Sequence, residues 1–563
     1  MSQIKIYGLG GLGENGKNMQ IVEVDNKIFI LDCGSKNPSA ELLGVESIVS
    51  NYNYILERKN DVVGLFLSHA HDNHIGGVPK LLSDLNVPIY GSRFTIELLK
   101  DTLSELDDDL NQFQFFVCDN NTLLTFDNIE IEFFSLTHSL PDTYGISIKT
   151  ADGYLVYAPN YTFDQNVGEH HQTNFEKLIK FRQNGVLAFM GDSMGAASIG
   201  HTTTDYKLTH SLHQAIGKAT GRVIIGCYST ELMHFSKTIK EALDLGKKIA
   251  IIGRKTQRAV DMTIKLGYIS IPEDRLINLK YIDDTNTNED SDLCVIVSGE
   301  RHEPFFMIQR MCKKQDRLIH INSSDTVIMM TYPISGTEKI KSRTLDILSR
   351  IDTTIVKIKK ELIPASHAAS EDIKLMYTML KPKYVVPICG DYRHQYLQST
   401  IAYDMNYAKE DVIILDNGEI LTINNGVLDE NHALIDAGDI LVDKNIEQDV
   451  NDILIREREL LSQEGFIMII GNIDARNRNI LNKPEIVSRG FVYAKNNIEF
   501  NENIIKIYNN VSNAELSTKY IDWKVYKEHL HSSISDYIFK ETKRRPVIIP
   551  IILDTEIPRQ DKN

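Results

Sequence analysis

The chain has 563 residues, of which 42% are hydrophobic and 25% charged, with a formal net charge of -16. That length predicts about two to four domains, and the composition is that of a globular protein with ample core material. The negative balance excludes a surface coated with basic groups, so any nucleic acid must be met in a local groove, and no apolar run reaches the roughly 18 residues of a membrane span.

From the N-terminus, residues 1–7 show no charged-then-apolar signal pattern, and short β-type runs follow at 4–7, 20–24 and 27–31. Between the first two lies Gly8-Leu9-Gly10-Gly11-Leu12-Gly13, a formal match to the dinucleotide fingerprint. A Rossmann site needs a helix at the third glycine. Here Glu14-Asn15-Gly16-Lys17-Asn18 leads into another strand, so the segment reads as a hairpin turn. Asp32 ends the third run, either as a turn-initiating residue before Cys33-Gly34 or as a carboxylate presented by a sheet.

The buried-type strand 62–67 delivers Ser68-His69-Ala70-His71-Asp72-Asn73-His74-Ile75-Gly76-Gly77. Imidazoles at i, i+2 and i+5 of a turn can converge on one point, and zinc takes such nitrogens tetrahedrally. The plain alternative is a histidine-rich surface loop. Residues 78–85 read as helix, 87–91 as strand, and 92–116 as an acidic helix with Asp107-Asp108-Asp109 on a solvated face. A strand at 129–134 ends before His138, one at 154–158 before Asn160, and one at 185–190 before Asp192. Polar residues just past strand ends are where open α/β sheets build their sites.

A second α/β register spans 206–355, with strands at 222–226, 248–253, 293–297 and 326–330 and helices such as 236–245 between them. Beyond it come Ile363-Pro364-Ala365-Ser366-His367, a helix at 371–380 and a strand from 385 into Cys389-Gly390-Asp391. From residue 430 the composition grows more charged. A small α/β unit closes the chain, marked by a helical stretch at 451–461, apolar 466–470, Ser488-Arg489-Gly490-Phe491-Val492-Tyr493 and 544–550. The six cysteines are scattered without a C-x-x-C pair, so neither a disulfide framework nor a zinc ribbon is expected, and cytoplasm is the default.

The clustered histidines after a strand, a lone His138 and an acidic residue after a later strand stand in the order of the metallo-β-lactamase fold. The α/β insertion, with Asp192 before it and Ser366-His367 after it, looks like the β-CASP insertion of nucleic-acid-processing members. Gly10-Gly11-Leu12-Gly13-Glu14-Asn15-Gly16-Lys17-Asn18, His138-Ser139-Leu140-Pro141-Asp142, Lys381-Pro382-Lys383-Tyr384-Val385-Val386-Pro387 and the stretch 488–493 resemble ribonuclease J. The resemblance covers essentially the whole chain. It implies an αββα sandwich (1–205 and 356–430) with an inserted β-CASP domain (206–355), a linker (431–450) and a small C-terminal α/β domain for assembly (451–563). It also implies a cytoplasmic endonuclease and 5′-to-3′ exonuclease acting on RNA, with two zinc ions and dimer-based assembly. Some bacteria carry two paralogues that associate with each other.

In the family pattern one zinc takes residues corresponding to His69, His71 and His138, all present. The second takes an aspartate and a histidine of the cluster, a bridging aspartate and a later histidine. Those positions hold Asn73, His74, Asn160 and Cys389, so only His74 matches. Two carboxylates have become amides, which are poor zinc ligands. Cys389 is either a compensating thiolate or a small buried apolar residue in the space of an imidazole. At most one zinc per chain is expected, bound more weakly than in an intact relative.

The resemblance assigns catalytic roles to Asp192 and His367 and substrate contacts to Ile363, Pro364, Ala365, Ser366 and His367. There the family's His-Val-Ser-Gly-His has lost its first histidine to Ile363. Where the family has Gly-Ser-Gln-Gly-Glu-Pro, this chain has Gly299-Glu300-Arg301-His302-Glu303-Pro304. The chain is therefore most similar to the second, degenerate paralogue: weak or inactive alone, partnered with RNA and with an intact ribonuclease J or itself, as a dimer or tetramer. A fully active enzyme and a non-catalytic RNA-binding subunit are the alternatives.

Overall fold

The computed structural model describes residues 2–555 apart from 40–41, 107, 165, 230, 278–289, 333, 335, 444–451 and 492–496. Two compact units are present: residues 1–37 with 48–440, and residues 38–47 with 441–563.

In the larger unit the alternating runs of the N-terminus pair as Gln3–Gly10, Met19–Val24 and Lys27–Leu31, consecutive and antiparallel. The glycine-rich stretch is the turn between the first two, as its context predicts. Lys27–Leu31 then runs parallel to Val62–Phe66, and the sheet continues through Ile89–Gly91 to Phe115–Val117. Glu419–Asn424 returns to the other side of Gln3–Gly10. A second sheet runs in the order Tyr384–Ile388, Val186–Asp192, Gly153–Ala158, Tyr144–Thr150, Ile129–Ser135, Leu123–Phe126.

Period-two patterning gives each strand two buried faces. Ile4, Ile6, Phe29, Leu31 and Phe66 of the first sheet meet Ile131, Phe133, Leu155, Tyr157 and Met190 of the second in one core. Ile28, Ile30 and Leu65 turn instead to helices such as Val78–Asp84 and Arg93–Glu105. Phe134, Val156 and Phe189 turn to the helices Phe175–Asn184 and Ser370–Leu380. The result is an αββα sandwich.

The insertion is a parallel sheet in the order Lys248–Ile252, Leu293–Gly299, Val223–Tyr228, Thr326–Met329, Thr354–Lys357. Its strands read as continuous apolar runs because both faces are covered, one cluster holding Ile225 and Ile296 and the other Ile224 and Val295.

In the smaller unit Phe466–Asp474 lies between antiparallel Glu485–Arg489 and parallel Val547–Asp554. Its Ile467, Ile469 and Ile473 pack on Ile504 and Tyr508 of Ile498–Leu516 and Leu530 and Ile534 of Trp523–Thr542. The expected elements Val492-Tyr493 and the start of the helix at 451 lie outside the described residues.

One expectation fails. The helix expected over 92–116 stops at Glu105, and Phe115–Val117 is a strand beside Ile89–Gly91. Asp109 turns its carboxylate to the backbone N–H of Asn111, starting a short 3-10 turn. Such local bonding competes with helix continuation, and the aromatics beyond it suit a strand.

Candidate metal centre

The histidine turn is held against the first sheet's loops by backbone hydrogen bonds. Asn18 N–H donates to Asn73 O at 3.0 Å, Cys33 N–H to His74 O at 2.8 Å, and Gly77 N–H to Cys33 O at 2.9 Å. The approach is close enough that a Cβ on Gly34 would fall 1.8 Å from Asn73 O. Glycine is required there for proximity, not for φ.

Behind the turn sits Asp32, fully buried and in the left-handed region at φ +62°. Four donors hold it at 2.7 Å each: Ser68 N–H on Oδ1, and Ser68 Oγ, His74 Nδ1 and Tyr157 Oη on Oδ2. These charge-assisted bonds outweigh the cost of about 1 kcal/mol or more for a non-glycine residue at positive φ. Of its two readings, the presented carboxylate is the one realised.

The same bonds set tautomers. Ser68 Oγ gives its proton to Asp32, so it accepts from His69 Nδ1 at 2.9 Å, and the Nε2 lone pair of His69 is left for the site. The His138 ring is held at Nδ1 by Thr143 Oγ1 at 3.1 Å and by the backbone N–H of Leu140 at 3.4 Å, and Thr143 Oγ1 donates to Leu140 O. His138 Nε2 is buried without a hydrogen-bond partner. His171 Nδ1 donates to His138 O at 2.8 Å, and Met233 N–H of the insertion to Ser139 O at 2.8 Å, so this loop is fixed from two sides.

Among the described residues, one ligand atom from each of His69, His71 and His138 lies within 4.8 Å of the others, and His69 Nε2 is 3.1 Å from His71 Nδ1. Tetrahedral zinc with bonds of about 2 Å spaces its nitrogens at roughly 3.3 Å, so the His69–His71 pair already has that spacing and the triad closes on an ion with shifts of about 1.5 Å or less. Burial, then the neighbouring imidazoles, push His69 and His138 well below the usual histidine range. Both are neutral near pH 7, the form that binds metal.

The other half differs. His74 spends Nδ1 on Asp32 and accepts from Asn18 Nδ2 on Nε2 at 3.1 Å, so both ring nitrogens are engaged and it stands outside the triad. Asn160 is buried with Oδ1 unpartnered. Cys389, at φ +57° and 4% exposed, belongs to the core between the sheets. Burial, then the carboxylates of Asp192 and Asp32, push its thiol far up. This favours the small apolar residue over the thiolate.

Beside the triad, buried Asp192 accepts from His367 Nδ1 at 2.8 Å and from Met194 N–H at 3.0 Å. Burial opposes charging His367, but the field and hydrogen bond of Asp192, with Glu231 behind, prevail and raise it above the ordinary histidine value. Ser366 is half-buried and Ala365 exposed, whereas Ile363 and Pro364 are buried, Ile363 in the insertion's core. Those two side chains are turned inward and offer nothing to a ligand. The positioning residues Thr143, Tyr157 and His171 carry no sequence signal of their own, whereas Asn18 lies in the glycine-rich motif and Ser68 directly follows a strand. Asp32 carries one too, as a polar residue ending a strand.

Known proteins match this architecture in chain order. Residues 12–153 fit the metallo-beta-lactamase superfamily, 220–348 the ribonuclease J beta-CASP domain, and 453–555 the ribonuclease J C-terminal domain. The chain is 32% identical over 549 residues to ribonuclease J 2 of Staphylococcus aureus (strain NCTC 8325 / PS 47), covering 98% of both. It is 31% identical over the same length to ribonuclease J 2 of Staphylococcus epidermidis, again covering 98% of both. A solved protein of unknown function from Enterococcus faecalis V583 superposes with a TM-score of 0.52 at 15% identity, over 75% of this chain and 100% of that one, a likeness of fold. With a histidine centre of the kind a metal-dependent nuclease uses, and with full-length relatives of one kind, the chain belongs to the ribonuclease J family.

Proposed function

We propose that this chain is a ribonuclease J-type RNA-processing protein with half of a two-metal centre, cleaving RNA weakly or not at all alone and working beside an intact ribonuclease J chain. The donor set carries the reading: three imidazoles converge, whereas the remaining positions present an amide at Asn73, an amide at Asn160, an uncharged thiol at Cys389 and an engaged His74.

His69, His71 and His138 would hold one zinc. Bound there, the ion supplies a water acidified toward neutrality and a Lewis acid for phosphate oxygen. His367, with Nδ1 fixed on Asp192, keeps Nε2 for a proton delivered to the leaving oxygen of the RNA. Ser366 and His367 take a phosphate of the strand. Two-metal hydrolysis clamps both the attacking and leaving oxygens, and losing one clamp costs several kcal/mol, or orders of magnitude in rate.

In this reading residues 1–205 with 356–430 form the catalytic body, 206–355 the RNA-facing insertion, and 451–563, beyond a linker at 431–450, the assembly domain. The partners are RNA and an intact paralogue in a hetero-oligomer, with self-association as the alternative, in the cytoplasm. The intact Asp192–His367 pair favours a second reading, a slow one-metal nuclease. Metal content and RNA turnover of the purified protein, alone and mixed with an intact relative, test both. At most one zinc per chain and little turnover alone are expected. Two zincs with brisk turnover overturn the proposal.

A further inference from the structure

The helix Leu232–Asp244 of the insertion begins beside the site, and the residue before it, Glu231, carries a carboxylate that no step above uses. Both of its oxygens lie near Ser366 Oγ, at 3.4 and 3.3 Å, so the hydroxyl donates into the fork of the carboxylate. The Glu231 side chain is 15% exposed, and it stands near enough to His367 to favour that ring's charged form. Its position is not incidental. Met233 N–H donates to Ser139 O at 2.8 Å, which ties the first turn of the helix to the loop carrying His138.

The cationic neighbour of Glu231 is the His367 ring itself. Among the described residues no lysine or arginine pairs with it, and the nearest ring nitrogen, His234 Nδ1, is 3.6 Å away. Burial lowers His234 to about 4, so that ring is neutral. A hydroxyl donor and a proton-holding imidazole, open to solvent at 30% exposure and next to a cluster of metal-binding nitrogens, are what a phosphate oxygen would engage. Here a carboxylate already holds that place.

We propose that Glu231 is a specificity-determining residue, an internal carboxylate that occupies the seat of a phosphate at Ser366 and His367 and turns the site against RNA bearing a 5′-terminal phosphate. The inference rests on the proposed reading that these two residues receive RNA phosphate. A phosphodiester within the strand carries one negative charge, whereas a terminal phosphate carries nearly two and presents three oxygens, so repulsion by a fixed carboxylate falls mainly on the terminal group.

The test is binding of one oligoribonucleotide, made with either a 5′-phosphate or a 5′-hydroxyl, to the full chain. It is run at pH 8, above the value of about 7 to which burial pushes Glu231 against the opposing pull of Ser366, His367 and Ser139. The wild type is expected to bind the 5′-hydroxyl RNA at least as well as the 5′-phosphate RNA. In Glu231→Gln the 5′-phosphate RNA is expected to bind about tenfold tighter while the 5′-hydroxyl RNA changes little, as removal of one like charge predicts. Glu231→Asn, which keeps a good residue ahead of the helix, is the second variant should the first fold poorly.

An unchanged ratio in folded variants, with Ser366→Ala still weakening both RNAs, overturns the inference and leaves the proposed function standing. If neither RNA binds the wild type or any variant, the proposed function falls and the inference with it. Failure of both variants to fold would show that Glu231 is structural and overturn the inference.

Discussion

Asp32 shows how much one carboxylate does at the site. It accepts from Ser68 and His74, and through Ser68 it decides which nitrogen of His69 faces the other two imidazoles of the triad. In Asp32→Asn the amide nitrogen is a donor where two oxygens now accept. Zinc affinity, read by chelator competition, should fall about 10- to 100-fold, and an unchanged affinity would show that His69 orients itself. The proposed loss of the second half invites the opposite experiment. Asn73→Asp, Asn160→Asp and Cys389→His together restore two carboxylates and an imidazole, and zinc content and RNA turnover should both rise. No gain would place the limiting defect in the RNA contacts.

His367 sets a pH dependence. Its pKa is higher in the folded chain than in the unfolded one, so the folded state binds the proton more tightly. The Asp192 pairing therefore stabilises fully below the unfolded value of about 6.5 and fades as pH rises through the higher folded value. The gap in urea midpoint between wild type and His367→Gln should shrink across that window. A gap that widens with pH would reverse the assignment.

At the scale of elements, the site is a meeting of strand ends. Asp32 follows Lys27–Leu31, His69 follows Val62–Phe66, Asn160 follows Gly153–Ala158, and Cys389 follows Tyr384–Ile388. The turn that carries the histidines is seated by Gly34, where a methyl group would overlap the backbone of Asn73. Gly34→Ala should cost about 1–3 kcal/mol of stability and lower zinc content together, because the clash lifts the turn. Loss of stability with full zinc loading would mean the turn is seated elsewhere. Local patterning foretold most of these elements, since runs buried on both sides are apolar throughout and half-exposed helices are periodic. It misjudged 92–116 by running a helix through the turn at Asp109 and the strand-favouring aromatics beyond it, where Phe115–Val117 pairs with Ile89–Gly91 instead.

For the molecule as a whole, the proposed reading of half a centre carries the expectation that the chain acts through a complete one. Size analysis of this protein mixed with an intact ribonuclease J should show a mixed complex, and separate homo-oligomers would overturn that expectation. The primary structure alone determined the class of chemistry. His69, His71 and His138 and the amides at Asn73 and Asn160 are residue identities, and ligand strength follows from identity. Chain order of the motifs likewise carried the family. Only the tertiary structure decided which donors converge, that Asn18 engages His74, that Ile363 and Pro364 face inward, and that Glu231 reaches Ser366 from more than a hundred positions away. The reason is physical: hydrogen-bond partners and burial are set by segments distant in sequence packing together, and no local pattern encodes which atoms meet.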